Sequence, residues 1–135
     1  MREIGGFLEF EKNSGHEYHK NCLALNSGRN CLRYLIRARK IKKIWLPRLL
    51  CSEISDTCKE EGVNIQYYTV NNQLKPFFPS VSEEEWIYLI NYYGQYSEMD
   101  IISFCKKNRN VIIDNAQAFY TKPLVGVDTI YTCRK

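Results

Sequence analysis

Residues 111–120 read VIIDNAQAFY, so that three β-favouring apolar residues run directly into a carboxylate. Burying an ionised carboxylate is costly unless an opposite charge or hydrogen-bond donors compensate it. Asp114 therefore needs a partner. The ordinary one is its own turn or a surface cation. The chemically active one is a cationic cofactor atom, such as a protonated pyridine nitrogen, whose charge favours the ionised acid.

Other residue groups pose smaller versions of the same question. In NSGRN (26–30) a Ser-Gly turn opens a helix, and such a turn presents backbone N–H groups suited either to a simple cap or to a phosphate. NYYGQ (91–95) follows an apolar strand and places Gly94 where a backbone can approach a ligand or merely turn. The terminal TCRK puts Lys135 after a strand-like run. A Schiff-base lysine needs a depressed pKa from desolvation or a neighbouring cation, and Arg134 is adjacent. Terminal lysines are otherwise solvated.

His16 and His19 in HEYH lack the HExxH spacing and a third ligand, and read as surface residues. The six cysteines form no CxxC pair, which argues against zinc and for reduced thiols serving as small hydrophobes. RARKIKK (37–43) carries much of the +4 net charge. It could follow a phosphate backbone, but no aromatic residue interleaves it to stack bases, and a solvated helix end is the simpler reading.

These residues need a scaffold, and 135 residues supply one domain, 1–135, with a single core. Apolar content of 44% favours a packed globule. The charged start MREIGGFLEFE offers no signal-peptide core, and no apolar run reaches membrane-spanning length, so a cytoplasmic protein is expected. Spacing predicts a helix after Ser27, with Asn26 or Ser27 as N-cap, and a second over 52–62 that stops at Gly62. A third is predicted over 99–108. Strands are predicted at 41–47, 63–70, 86–94, 111–114 and 127–133, with QLKPFFPS as a proline-broken loop. The alternation implies an α/β fold: a mainly parallel, mixed sheet flanked by helices in three layers, with ligands expected at the carboxyl ends of the strands near a switch in strand order.

Taken in order, the SG turn, NYYGQ, IIDNAQA and the final lysine resemble the amino-terminal part of the DegT/StrS sugar aminotransferases. These are fold-type-I pyridoxal-phosphate enzymes. The resemblance runs from about Gly5 to Lys135, and IIDNAQA is its most specific piece. It implies a partial large domain that ends at the Schiff-base lysine, without the small domain. It further implies that Ser27, Gly28 and the backbone of Arg29 hold the cofactor phosphate and that Asp114 pairs with the pyridine nitrogen. Ala116 would let the ring lie close, Gln117 would reach its phenolic oxygen, and Lys135 would bind the cofactor covalently and shuttle the proton.

Family members transfer an amino group, usually from glutamate, to a keto group on a nucleotide-linked sugar, and work as homodimers. The chain departs from that pattern in three places. LPRLLCSE offers only Leu50 or Cys51 where an aromatic ring stacks on the cofactor. The interval from Asp114 to Lys135 is short, which leaves Thr132 as the phosphate-binding hydroxyl. The sequence also stops at Lys135, so this chain by itself is expected to have little or no activity. The alternative class is a non-catalytic α/β module that binds phosphate or nucleic acid through 37–43.

Overall fold

A computed structural model describes residues 15–77 and 80–133. Ser27 opens the first helix, α1 (Gly28–Arg39), its hydroxyl accepting the Asn30 N–H at 3.3 Å. Leu32 and Ile36, one turn apart, are the helix residues buried in the core. β1 (Lys43–Pro47) follows, then α2 (Ser52–Glu60). Gly62, at φ +69°, lets α2 close: its N–H reaches the Lys59 carbonyl and the Val63 N–H reaches that of Cys58, each at 2.9 Å.

β2 (Asn64–Val70) leads into β3 (Pro76–Phe77), a two-residue antiparallel strand inside the segment expected to be a loop. Proline is tolerated there because β3 is the edge strand. β4 (Trp86–Ile90) is shorter than expected, since the chain leaves the sheet into a 3-10 turn at Tyr92–Gly94. Tyr93 and Gly94 both take positive φ, which no strand accommodates. Helix α3 (Glu98–Lys107) starts from a capping box in which Ser97 and Asp100 each bind the other's backbone N–H. β5 (Val111–Asp114) and β6 (Asp128–Ile130) complete the sheet.

The strand order is β3-β2-β1-β4-β5-β6, and every pairing except β2–β3 is parallel. From β1 the chain moves outward through α2 to β2, returns to the other side of β1 at β4, and moves the opposite way through α3 to β5. Right-handed crossovers running in opposite directions must place their helices on opposite faces. Accordingly α1 and α2 cover one face, where Leu32, Ile36 and Cys58 meet Ile44, Leu46, Tyr88, Ile90 and Ile112. α3 covers the other, with Ile101 against Leu89, Val111 and Ile113. The period-2 alternation of the strands settles which side chain faces which helix. Asp114 lies two residues beyond Ile112 and so points to the α1 side.

Ion pairs gather at the amino edge of the sheet and on the helix exteriors. Arg39 grips Asp128 with two 2.8 Å bonds, Lys43 meets Glu85 at 2.5 Å, and Arg37 binds Glu61 twice at 2.7 Å. Three of the five cations in the basic run at 37–43 thus pair with carboxylates, and Ile41 within it is buried. Among the described residues no helix is long and apolar enough to cross a membrane.

The hydrogen bonds from Arg37, with Arg33 adding to them, hold Glu61 below its ordinary pKa of 4.5. A carboxylate depressed in the folded state binds more protons when unfolded, so its contribution is present above that ordinary value and is lost as pH falls through the folded one. Glu85 and Asp100 shift in the same direction. Urea unfolding at a series of pH values from about 6 down to about 3 should therefore show a shallower acid loss for Glu61→Gln than for the unmodified chain. Identical pH profiles would show that the Arg33–Glu61–Arg37 pairs do not hold in solution.

Candidate active site

Asp114 ends β5 with 9% of its surface exposed. Its Oδ2 accepts the Tyr88 hydroxyl at 2.8 Å, and its Oδ1 accepts the Ala116 backbone N–H at the same distance. One bond comes from the neighbouring strand and the other from the turn that Asp114 itself caps. A carboxylate accepts about four hydrogen bonds, so these two do not preclude a further partner.

The α1 amino terminus lies alongside. A methyl placed on Gly28 would meet the Ile130 side chain at 3.9 Å, and Ile130 is the register partner of Asp114 on β6. At the other end of the helix, Arg39 is anchored to Asp128, where β6 begins. α1 therefore runs antiparallel to the strands, with its positive end over the carboxyl edge and beside Asp114. An anion held there would meet the first-turn N–H groups of Gly28 and Arg29. Gly28 has ordinary room for a side chain, so neither packing nor backbone strain requires glycine at that position. Arg29 itself pairs with Glu53 on the first turn of α2 and thereby joins the two helix amino termini.

The loops beyond β4 and β5 are fastened by neutral amides. Asn91 and Asn115, both essentially unexposed, share a 3.0 Å bond from the Asn91 carboxamide NH2 to the Asn115 carboxamide oxygen. Asn91 Oδ1 also accepts the Tyr96 N–H at 3.1 Å. Gln117 is exposed, and its oxygen accepts the Tyr93 N–H at 3.1 Å. Its NH2 is the end able to donate to a phenolic oxygen. Ala116 is half-buried in the same turn.

The crevice at the switch between β1 and β4 is bridged by Tyr92, whose hydroxyl donates to the Leu49 carbonyl oxygen. Burial, with a smaller push from the Asp114 charge, raises that phenol to about 12. Cys51 is exposed at the start of α2, and Leu50 packs into the core, so no ring stands at 50 or 51. Thr132 is half-buried just past β6. Lys135 and Arg134 lie outside the described residues.

The structure also moves His19 off the surface. Its ring stacks on Tyr131 at 3.9 Å, and its Nε2 lies 2.7 Å from the Phe119 carbonyl oxygen. The Tyr131 hydroxyl is buried close to Asn115 without a partner in hydrogen-bonding geometry. Among the described residues no cluster of His, Cys, Asp and Glu could hold a metal, and the six cysteines are free. Sequence reasoning singled out NYYGQ without giving Asn91 or Tyr92 a role of its own, and it gave none to Tyr88 or Asn115. Alternation would have placed Tyr88 on the same face as Ile90, the register partner of Asp114. The amides carry no such signal.

This arrangement has the fold of part of the large domain of fold-type-I pyridoxal-phosphate-dependent aminotransferases. The NtdA protein of Bacillus subtilis, solved with bound cofactor PMP, superposes with a TM-score of 0.60 at 18% identity over 76% of this chain and 27% of its own. An aminotransferase from Psychrobacter cryohalolentis gives 0.54 at 19% identity over 67% and 26%. Tyrosine aminotransferase from Leishmania infantum gives 0.53 at 16% over 65% and 26%. The chain thus spans about a quarter of the length of these proteins. No family model matches it, and no curated protein matches its sequence.

The amide latch has a measurable cost when broken. Asn91→Leu strips the Tyr96 N–H and the Asn115 carboxamide of their shared partner, and should destabilise the fold by about 1–3 kcal/mol. Urea midpoints read this directly, and a variant as stable as the parent would remove the latch from the account.

Proposed function

We propose that this chain is the cofactor-binding portion of a pyridoxal-phosphate-dependent aminotransferase. The observation that carries this reading is the buried, hydrogen-bonded Asp114 carboxylate beside a helix amino terminus, at the carboxyl edge of a sheet of this fold. A carboxylate to hold a pyridine nitrogen protonated and a set of N–H donors to hold a phosphate lie side by side, as the two ends of this cofactor require.

When bound, pyridoxal phosphate supplies an electron sink for negative charge developing at the substrate carbon. Asp114 keeps the ring nitrogen protonated, since an adjacent anion favours the charged form. The Ser27–Arg29 turn, with Thr132, holds the phosphate. Ala116 leaves room for the ring, and the Gln117 NH2 donates to the phenolic oxygen. Cys51 borders the ring where an aromatic residue is missing. Lys135 would supply the amine that condenses with the cofactor aldehyde, releasing water, and that then moves the proton. The parent reaction is amino transfer to a keto group on a nucleotide-linked sugar from a donor such as glutamate, in a homodimer.

The test uses two ligands. Pyridoxamine phosphate should bind saturably, and Asp114→Ala should weaken binding by roughly 10- to 100-fold, the range for a lost hydrogen bond to a charged group. Pyridoxal phosphate followed by borohydride should label Lys135. Labelling scattered over surface lysines, with no saturable binding of either ligand, would remove this chain from pyridoxal-phosphate chemistry.

A further inference from the structure

Tyr88 is a fully buried phenol that the cofactor reading leaves without a task. It lies on β4 with 1% of its surface exposed, and its hydroxyl donates to Asp114 Oδ2 at 2.8 Å. The other carboxylate oxygen is fixed by the Ala116 N–H. The two bonds, one from the neighbouring strand and one from the following turn, constrain both oxygens of the carboxylate. A rotatable side chain at a strand end thereby becomes a fixed acceptor.

We infer that Tyr88 is a positioning residue for Asp114, acting from beneath the site to hold the carboxylate ionised and aimed at a cationic ring nitrogen. This rests on the cofactor reading above and adds to it a residue that never touches the cofactor. The phenol suits the task because it stays protonated: burial and the Asp114 charge keep its pKa well above the ordinary value. It is therefore a constant donor and not a competing anion. Among the described residues, the titratable groups that face this pair include Cys31 from α1, Cys58 from α2 and Tyr92 from the turn after β4. Burial raises all three thiols and phenols, which keeps them neutral near pH 7.

The test needs a readout that does not depend on a working enzyme. In the full chain without cofactor, the Asp114 carboxyl carbon is titrated by NMR in the unmodified protein and in Tyr88→Phe. Losing a donor to a charged acceptor should raise its midpoint by about one to two pH units. Tyr68→Phe is the control, since Tyr68 donates at 2.8 Å to the Tyr88 carbonyl and not to Asp114, and it should leave the midpoint unchanged.

In parallel, pyridoxamine phosphate affinity at pH 7 should fall about tenfold in Tyr88→Phe. An unmoved midpoint overturns the inference, as does a moved midpoint with unchanged affinity. If the unmodified chain binds no pyridoxamine phosphate, the cofactor reading fails first and takes this one with it, which is a distinguishable outcome. Should Tyr88→Phe not fold, the unmodified protein carries the test. In deuterated solvent its Asp114 carboxyl resonance should show isotope shifts from both the Ala116 N–H and the Tyr88 hydroxyl, and a shift from the amide alone overturns the assignment.

Discussion

A carboxylate at the end of a fully buried strand has to be compensated, and the upper part of this structure is arranged around that requirement. The four residues of β5 are all buried, and Asp114 is the last of them. Tyr88 and the Ala116 N–H supply two hydrogen bonds, and the α1 amino terminus approaches along the neighbouring strand. In surroundings of low dielectric these donors count for more than they would in water, and an unpaired charge would be correspondingly expensive. Moving any of them would leave the carboxylate exposed to that cost. The turn after β5, the rotamer of Tyr88 and the axis of α1 are thus linked through one side chain.

The two edges of the sheet are held by different chemistry. Near the amino ends of the strands, Arg39–Asp128 and Lys43–Glu85 tie elements together in contact with water, where such pairs are screened and individually weak. Beyond the carboxyl ends, Asn91 and Asn115 fasten the loops with neutral amide bonds deep in the interior. Neutral amides cost less to bury than an ion pair and add no net charge to compete with Asp114. A charged latch at that position would perturb the carboxylate it stands beside.

The basic run and the histidines show how readily isolated residues are misread. RARKIKK looks like a cationic surface in one dimension. In three dimensions Arg37, Arg39 and Lys43 meet carboxylates at the end of α2, on β6 and just before β4. His19 looks like a polar surface residue until residues 118–131 come across to pack on it. In both cases the deciding partner lies more than twenty residues away.

The sequence by itself determined the class of fold. Helical spacing at Leu32 and Ile36, the glycine stop at Gly62 and the apolar runs at 86–90 and 111–114 are local signals of period and turn chemistry. They located the three helices and, apart from β3, the strands, with ends that shifted by a few residues. It also singled out Asp114, because a carboxylate after three β-favouring apolar residues is anomalous within a single window. Only the tertiary structure decided what surrounds it. Which face Tyr88 presents to Asp114, that α1 runs antiparallel to β6, and that Tyr92 bridges the switch crevice all depend on strand order and register. The energies that fix order and register are summed over residues far apart in the chain, so no local pattern carries them.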